Sequence, residues 1–199
     1  MNRRSLFAAA LGALAVLLTG PAVAALDVGA TAPEFSATAS LAGEPFPFSL
    51  DKALAEGPVV VYFFPAAFTK GCDLEAHTFS VNMAKFKAAG ASVIGVSADS
   101  IQRLNDFSAD PDYCAGKVAV ASDPQGDIAA TYGLEMIPAQ SDVVDVRGDT
   151  VSHGFLPRTT FVLDSDGQVV ARLSSKDDDL TPTQHVTRSL AIIQKLQQK

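Results

Sequence analysis

The segment Pro65-Ala66-Ala67-Phe68-Thr69-Lys70-Gly71-Cys72-Asp73-Leu74-Glu75 sets a thiol, a hydroxyl, a carboxylate and a proline close together. It follows the β-branched and aromatic run Val59 to Phe64, which reads as a strand buried on both faces and ended by Pro65. After it, Ala76, Phe79, Met83 and Phe86 recur at spacings of three and four, the stripe of an amphipathic helix from Asp73 to Ala89 closed by Gly90. Thr69 is the expected N-cap, which puts Lys70, Gly71 and Cys72 at the first three helical positions, where amide N–H groups lack intrahelical acceptors. A sulfur there meets free donors and the positive helix end, conditions that favour an anion. An isolated cysteine is most often an inert buried hydrophobe. A strand, then Pro-x-x-x-Thr-x-x-Cys, then a helix, with Arg158 entering a later strand, is more specific than a lone thiol.

An unperturbed thiol titrates near 8.5, and lowering it by roughly 2.5 units takes about 3.4 kcal/mol of selective stabilisation. A helix end supplies about 0.3 to 2 kcal/mol of that, so a hydroxyl and a cation must supply the rest, with Thr69 and Arg158 as candidates. The chemistry in view is attack by a thiolate on an electrophile polarised by neighbouring donors.

The elements that must position these groups alternate along the chain. Glu34 to Ala39 and Phe46 to Leu50 read as an edge hairpin, Ser92 to Val96 and Val118 to Ala121 as further strands, and Ser100 to Phe107 and Asp127 to Tyr132 as helices. The βαβ succession implies a mostly parallel sheet with right-handed crossovers. Thr160 to Leu163 and Val169 to Leu173 flank a Gly-containing turn and predict an antiparallel hairpin. Val186, Leu190, Ile193 and Leu196 stripe a last helix that covers the sheet. The Asp177-Asp178-Asp179 run reads as a solvated turn before it. Asp110, Pro111 and Gly116 bracket a one-turn helix around Cys114, and residues 135 to 157 show no period.

Composition narrows the function. The chain has 199 residues, a net charge of −7 and two cysteines, which suits one domain and excludes both a disulfide-dense scaffold and a four-thiolate zinc site. Acidic balance without a Lys/Arg stripe argues against nucleic-acid partners. Residues 1 to 24 read as a cleavable signal peptide: Arg3 and Arg4, an apolar run from Leu6 to Leu18, and an Ala-x-Ala site at Ala22 to Ala24. That apolar run would reach only about 20 Å as a helix against a bilayer core of about 30 Å, so no membrane anchor is expected after cleavage. Arg3-Arg4-Ser5-Leu6-Phe7 also resembles a twin-arginine export signal. Residues 25 to 199 then form one exported domain, expected in a periplasm where disulfides persist. The spacing of His77, His153 and His185 suits no metal site.

Pro65, Thr69 and Cys72, with Glu75 and the later Arg158-Thr159-Thr160-Phe161-Val162-Leu163-Asp164, resemble the motifs of the peroxiredoxins, the AhpC/TSA family. The resemblance is strongest to the bacterioferritin-comigratory-protein (PrxQ) subgroup, while Ala-Ala-Phe-Thr is similar to the type-5 branch. It implies a thioredoxin-like α/β fold, a mixed sheet flanked by helices. It implies a peroxidase that needs no cofactor and acts as monomer or homodimer on hydrogen peroxide or an organic hydroperoxide. Cys72 would be the peroxidatic nucleophile, Thr69 and Arg158 would activate it and hold the peroxide, Pro65 would shield it, and Glu75 would orient the arginine. The subgroup often carries its resolving cysteine five residues after the first, where this chain has His77; some members place it on the helix after the second strand, which fits Cys114. A thioredoxin-like or other dithiol protein would reset the pair. The rival classes are a periplasmic thiol-disulfide oxidoreductase, which normally needs a Cys-x-x-Cys pair where position 69 is Thr, and a non-catalytic copper-binding module.

Overall fold

A computed structural model describes residues 25 to 198; the expected signal peptide lies outside the described residues. The strands are β1 (Ser36–Leu41), β2 (Glu44–Ser49), β3 (Val59–Phe63), β4 (Ser92–Ser97), β5 (Ala119–Ser122), β6 (Thr159–Leu163) and β7 (Val169–Ser174). The helices are α1 (Leu50–Glu56), α2 (Lys70–Ala88), α3 (Ile101–Ala109), α4 (Asp127–Thr131), α5 (Ser175–Asp178) and α6 (Pro182–Leu196). One sheet runs in the order β2-β1-β5-β4-β3-β6-β7.

Parallel pairing is confined to β3 with β4 and β4 with β5. The expectation of a mostly parallel sheet is thereby corrected, because β1–β2 and β6–β7 are hairpins joined by turns, and both dock antiparallel on the parallel centre. A parallel neighbour needs a crossover, which the β3-α2-β4-α3-β5 stretch provides twice, whereas α1 and α4 lie in connections between strands that are not neighbours in the sheet.

The alternate side chains of the central strands feed two cores. Val60, Tyr62, Val93, Val120 and Val162 face α2, α3 and α6. Val59, Val61, Phe63, Ile94 and Phe161 face α1 and α4. Tyr62 lies across Gly95, where a Cβ would stand 2.6 Å from its ring. Any side chain at position 95 would drive that ring out of the core.

Register sets up the site. Phe63, the last residue of β3, pairs with Thr159, the first of β6, so the antiparallel neighbour delivers Arg158 beside the turn that leaves β3. In the parallel direction Phe63 pairs with Val96, which brings the segment after β4 to the same sheet edge.

Two local expectations are revised. Residues 111 to 117 form linked turns, not a one-turn helix. Asp110 is the C-cap of α3, its side chain accepts from the Asp112 amide at 2.9 Å, and Ala115 takes a positive φ of 52°, so no helical ladder can start. The acidic run is also more ordered than a solvated turn: Lys176 to Asp178 belong to α5, whose N-cap Ser174 donates its amide to the Asp178 carboxylate at 2.8 Å.

Candidate active site

Pro65 stops β3, because a proline has no N–H for the sheet ladder. The chain then turns through Ala66 and Ala67, both fully buried, and Phe68, which takes a positive φ of 59°. Thr69 is the N-cap in extended conformation, and the first helical hydrogen bond runs from the Asp73 amide to the Thr69 carbonyl at 2.8 Å. The Lys70, Gly71 and Cys72 amides therefore open toward the turn. The Thr69 hydroxyl does not cap the helix. It donates to the Ala66 carbonyl at 2.8 Å, so its lone pairs remain for another donor.

Cys72 is 2% exposed, and Arg158 Nη2 lies 3.1 Å from its Sγ. The other arm of the guanidinium, Nη1, bonds Glu75 Oε2, and Glu75 is fully buried. Cys72 and Glu75 are three apart on α2 and so face the same way. Burial pushes the Cys72 thiol up, Arg158, the Thr69 hydroxyl and the Ala66 main chain pull it down, and Glu75 pushes it up again. Burial prevails, so the expected depressed thiol is not what this closed arrangement holds: desolvation of the sulfur outweighs the cation beside it. Burial likewise pushes Glu75 up to about 7 against the pull of Arg158. The guanidinium itself keeps its proton more tightly than usual; burial disfavours its charge, but Cys72 and Glu75 together outweigh that. One cation thus faces two acidic groups, and neutralising either favours ionisation of the other.

Pro65 and Arg158 border a cleft of about 740 Å³ whose far walls are Leu134, Met136, Ile137 and Leu156. Arg158 lines this cleft, whereas Cys72 lies behind it and is not part of the wall. Among sequence-derived candidates, Pro65, Thr69, Cys72, Glu75 and Arg158 thus converge on one sheet edge.

Cys114 lies elsewhere in the same apolar cluster that holds Cys72, fully buried and unbridged. Burial, Asp110 and Asp73 together hold its thiol well above the ordinary range. Its segment touches α2 at His77, which is exposed and whose Nδ1 lies 3.0 Å from the Asp112 carbonyl oxygen. A carbonyl only accepts, so Nδ1 carries the proton.

Sequence reasoning missed several contributors. Gly71 is one: a Cβ there would lie 3.2 Å from Arg158 Nη2 and 3.7 Å from Pro182 Cγ. Nothing in the spacing distinguishes that glycine from any first-turn residue. Gly71→Ala is expected to lower the reactivity of the Cys72 sulfur by about tenfold, because the guanidinium must shift by tenths of an ångström. Thermal stability should hold or rise, since Ala is favoured over Gly in a helix by about 1 kcal/mol. Parallel rate and melting measurements check it; a rate that follows stability upward would contradict the close fit.

His185 is another. It is fully buried, accepts from the Thr160 hydroxyl at Nδ1 (2.9 Å), and donates from Nε2 to Ser175 Oγ (3.0 Å), whose own proton goes to the Leu180 carbonyl. Burial and the nearby Arg158 push its pKa down to about 4, so it stays neutral and adds no competing charge.

The AhpC/TSA family matches residues 28 to 172. The chain is 32% identical over 151 residues to chloroplastic peroxiredoxin Q of Sedum lineare, covering 75% of this chain and 70% of that one. The solved peroxidoxin BcpB of Mycobacterium tuberculosis superposes with a TM-score of 0.68 at 28% identity, over 85% of this chain and 97% of that one. The bacterioferritin comigratory protein of Xanthomonas campestris, described for alkyl peroxide reduction, gives 0.61 at 25% identity over 80% and 91%. The family match spans the sheet edge that carries Cys72, Glu75 and Arg158. The chain belongs to the AhpC/TSA family on a thioredoxin-like fold, and is a peroxiredoxin, an oxidoreductase that reduces peroxides with a thiol.

Proposed function

We propose that Cys72 is the peroxidatic cysteine and that Cys114 resolves it within the chain. The carrying observation is the 3.1 Å contact between Cys72 Sγ and Nη2 of Arg158, a residue that also borders the cleft. In the first step the sulfur attacks the distal oxygen of a hydroperoxide. The O–O bond breaks, Cys72 becomes a sulfenic acid, and the thiol proton ends on the leaving oxygen, giving an alcohol or water. Arg158, Thr69 and the first-turn amides stabilise the negative charge that develops on that oxygen. The apolar walls at Leu134, Met136 and Ile137 give an alkyl group a place to lie, which supports organic hydroperoxides alongside hydrogen peroxide.

In the second step the Cys114 thiol condenses with the sulfenic acid, forming a disulfide and releasing water. A thioredoxin-like dithiol protein then returns both thiols. Signal cleavage after Ala24 and a periplasmic site are part of the same reading, supported by the Arg3-Arg4, apolar and Ala-x-Ala sequence alone.

Cys72→Ser tests the assignment. Peroxide consumption coupled to a dithiol reductant should vanish in that variant, and retained turnover would falsify the role of Cys72.

A further inference from the structure

A phenylalanine in the left-handed region costs about 1 to 2 kcal/mol and persists only where its surroundings impose it. Phe68 is such a residue, and it immediately precedes the N-cap of the helix that carries Cys72. What imposes it is a buried polar network. The Ala67 amide donates to Asp99 Oδ2 at 2.8 Å, and the Ala67 carbonyl accepts from Arg103 Nη2 at 2.8 Å. The Phe68 carbonyl accepts from the Val146 amide at 2.8 Å. The centroid of the Phe68 ring lies 3.5 Å from Arg147 Cζ and 5.2 Å from Arg103 Cζ.

Asp99 and Asp145 hold Arg103 in turn. Its Nε lies 2.8 Å from Asp99 Oδ1, and its Nη2 lies 2.6 Å from Asp145 Oδ2. Asp99 also takes the Ser97 hydroxyl on Oδ2 and His153 Nε2 on Oδ1 at 2.8 Å. Asp145 Oδ1 accepts the Arg147 and Asp149 amides at 2.8 and 2.9 Å, which closes the turn of residues 143 to 151. His153 Nδ1 faces the Gly154 carbonyl at 2.8 Å, so both ring nitrogens meet acceptors; burial disfavours its charge, but Asp99 and the Gly154 carbonyl outweigh that and raise its pKa, favouring the imidazolium. Two carboxylates, one guanidinium and one imidazolium thereby balance, and Arg147 adds a cation at the rim, 3.5 Å from Asp106. The fork of a guanidinium serves two carboxylates and a carbonyl from separate nitrogens in a fixed plane, whereas an ammonium offers its three donors from a single atom.

We propose that Arg103, fixed by Asp99 and Asp145, is a positioning residue for the peroxidatic thiol, holding the Ala66–Thr69 turn in the one shape that aims Cys72 at Arg158. This rests on the reading of Cys72 as the peroxidatic cysteine. Residues 143 to 151 take part as well, pressing the turn from outside through Val146 and Arg147. Arg103 touches neither sulfur nor cleft, so it acts only through the main chain it holds.

The test is the second-order rate constant of Cys72 oxidation by hydrogen peroxide, with the pH profile of Cys72 alkylation by iodoacetamide, in full-length Arg103→Met, Arg103→Lys and Asp145→Asn proteins. Arg103→Met should slow oxidation roughly 10- to 100-fold, the scale of a small misplacement of reacting groups, and shift the alkylation profile. Arg103→Lys should recover part of the loss, and Asp145→Asn should show a smaller loss of the same kind. If Arg103→Met fails to fold, the two milder variants carry the test. Lower melting temperatures with unchanged rate constants and alkylation profiles would overturn the proposal, leaving the network a stabiliser only. If the parent protein and Cys72→Ser consume peroxide equally, the peroxidatic assignment fails instead, while the alkylation profiles still report on the clamp.

Discussion

Replacing Arg158 by Met is expected to slow the reaction of Cys72 with peroxide by about 10²- to 10³-fold, the typical loss when a group that stabilises developing charge is removed. Two effects act together. Arg158 is the strongest influence lowering the Cys72 thiol, so without it burial pushes the thiol higher still. The leaving oxygen also loses the cation that borders the cleft. Glu75 would lose its partner, and a fully buried carboxyl without a cation takes up a proton. The variant should therefore stay folded with a neutral Glu75. Stopped-flow oxidation of the variant across pH checks this: a rate constant within a few-fold of the parent would mean the guanidinium is a structural partner of Glu75 alone.

Cys114→Ser should reduce catalysis to a single turnover. The first equivalent of peroxide is consumed, the Cys72 sulfenic acid then lacks its partner, and further peroxide carries it to the sulfinic acid. The parent protein should avoid this although Cys114 is fully buried and its thiol is held above the ordinary range by burial, Asp110 and Asp73. Bridging needs Cα atoms within about 7 Å, and the linked turns of residues 111 to 117 are the element that can rearrange to meet that demand. Most of their hydrogen bonds are local, among them Ala115 N and Tyr113 N to Asp110 O at 2.8 and 3.3 Å and Lys117 N to Cys114 O at 2.9 Å; the ties to other elements are Gly116 N to Ser108 O at 2.9 Å, the His77 contact to Asp112 and the Tyr113 ring against Phe68 and Phe107. A segment outside the sheet and the long helices, held mostly by local bonds, opens at lower free-energy cost than the core strands or α2. Intact-mass measurement after repeated peroxide additions distinguishes the outcomes. A Cys114→Ser protein that keeps cycling on a dithiol reductant without overoxidation would show that another thiol performs the second step.

The strands and helices nearest Cys72 were legible because each is marked twice, by periodicity and by a breaker. Val59 to Phe64 is apolar throughout and ends at Pro65, and α2 carries its stripe and stops before Gly90. The early hairpin was legible in its alternation, and the structure pairs Ser36 to Leu41 with Glu44 to Ser49. The direction of the outer strands was not, since a turn or a crossover is decided by which neighbour a strand finds. The Cys114 segment was misread because Asp, Pro and Gly punctuate a helix and a chain of turns equally well, and only Ala115 at positive φ separates them.

Within the site, the residues that touch the sulfur were legible through their spacing, whereas its electrostatic balance was not. That balance depends on how far the sulfur and Glu75 are withdrawn from water, which no spacing reports. Arg103 and Asp145 are also silent in sequence. They are ordinary surface-type residues until the fold brings α3 beside the Ala67 main chain and the 143–151 segment onto Arg103.

The most direct measurement is peptide mass mapping of the protein within seconds of adding one equivalent of hydrogen peroxide. The expected result is oxygen transferred to Cys72 alone, seen as a sulfenic acid or as its disulfide with Cys114. Peroxide consumed while the Cys72 sulfur stays unmodified, or oxidation confined to other residues, would contradict the claim that the sulfur beside Arg158 cleaves the O–O bond.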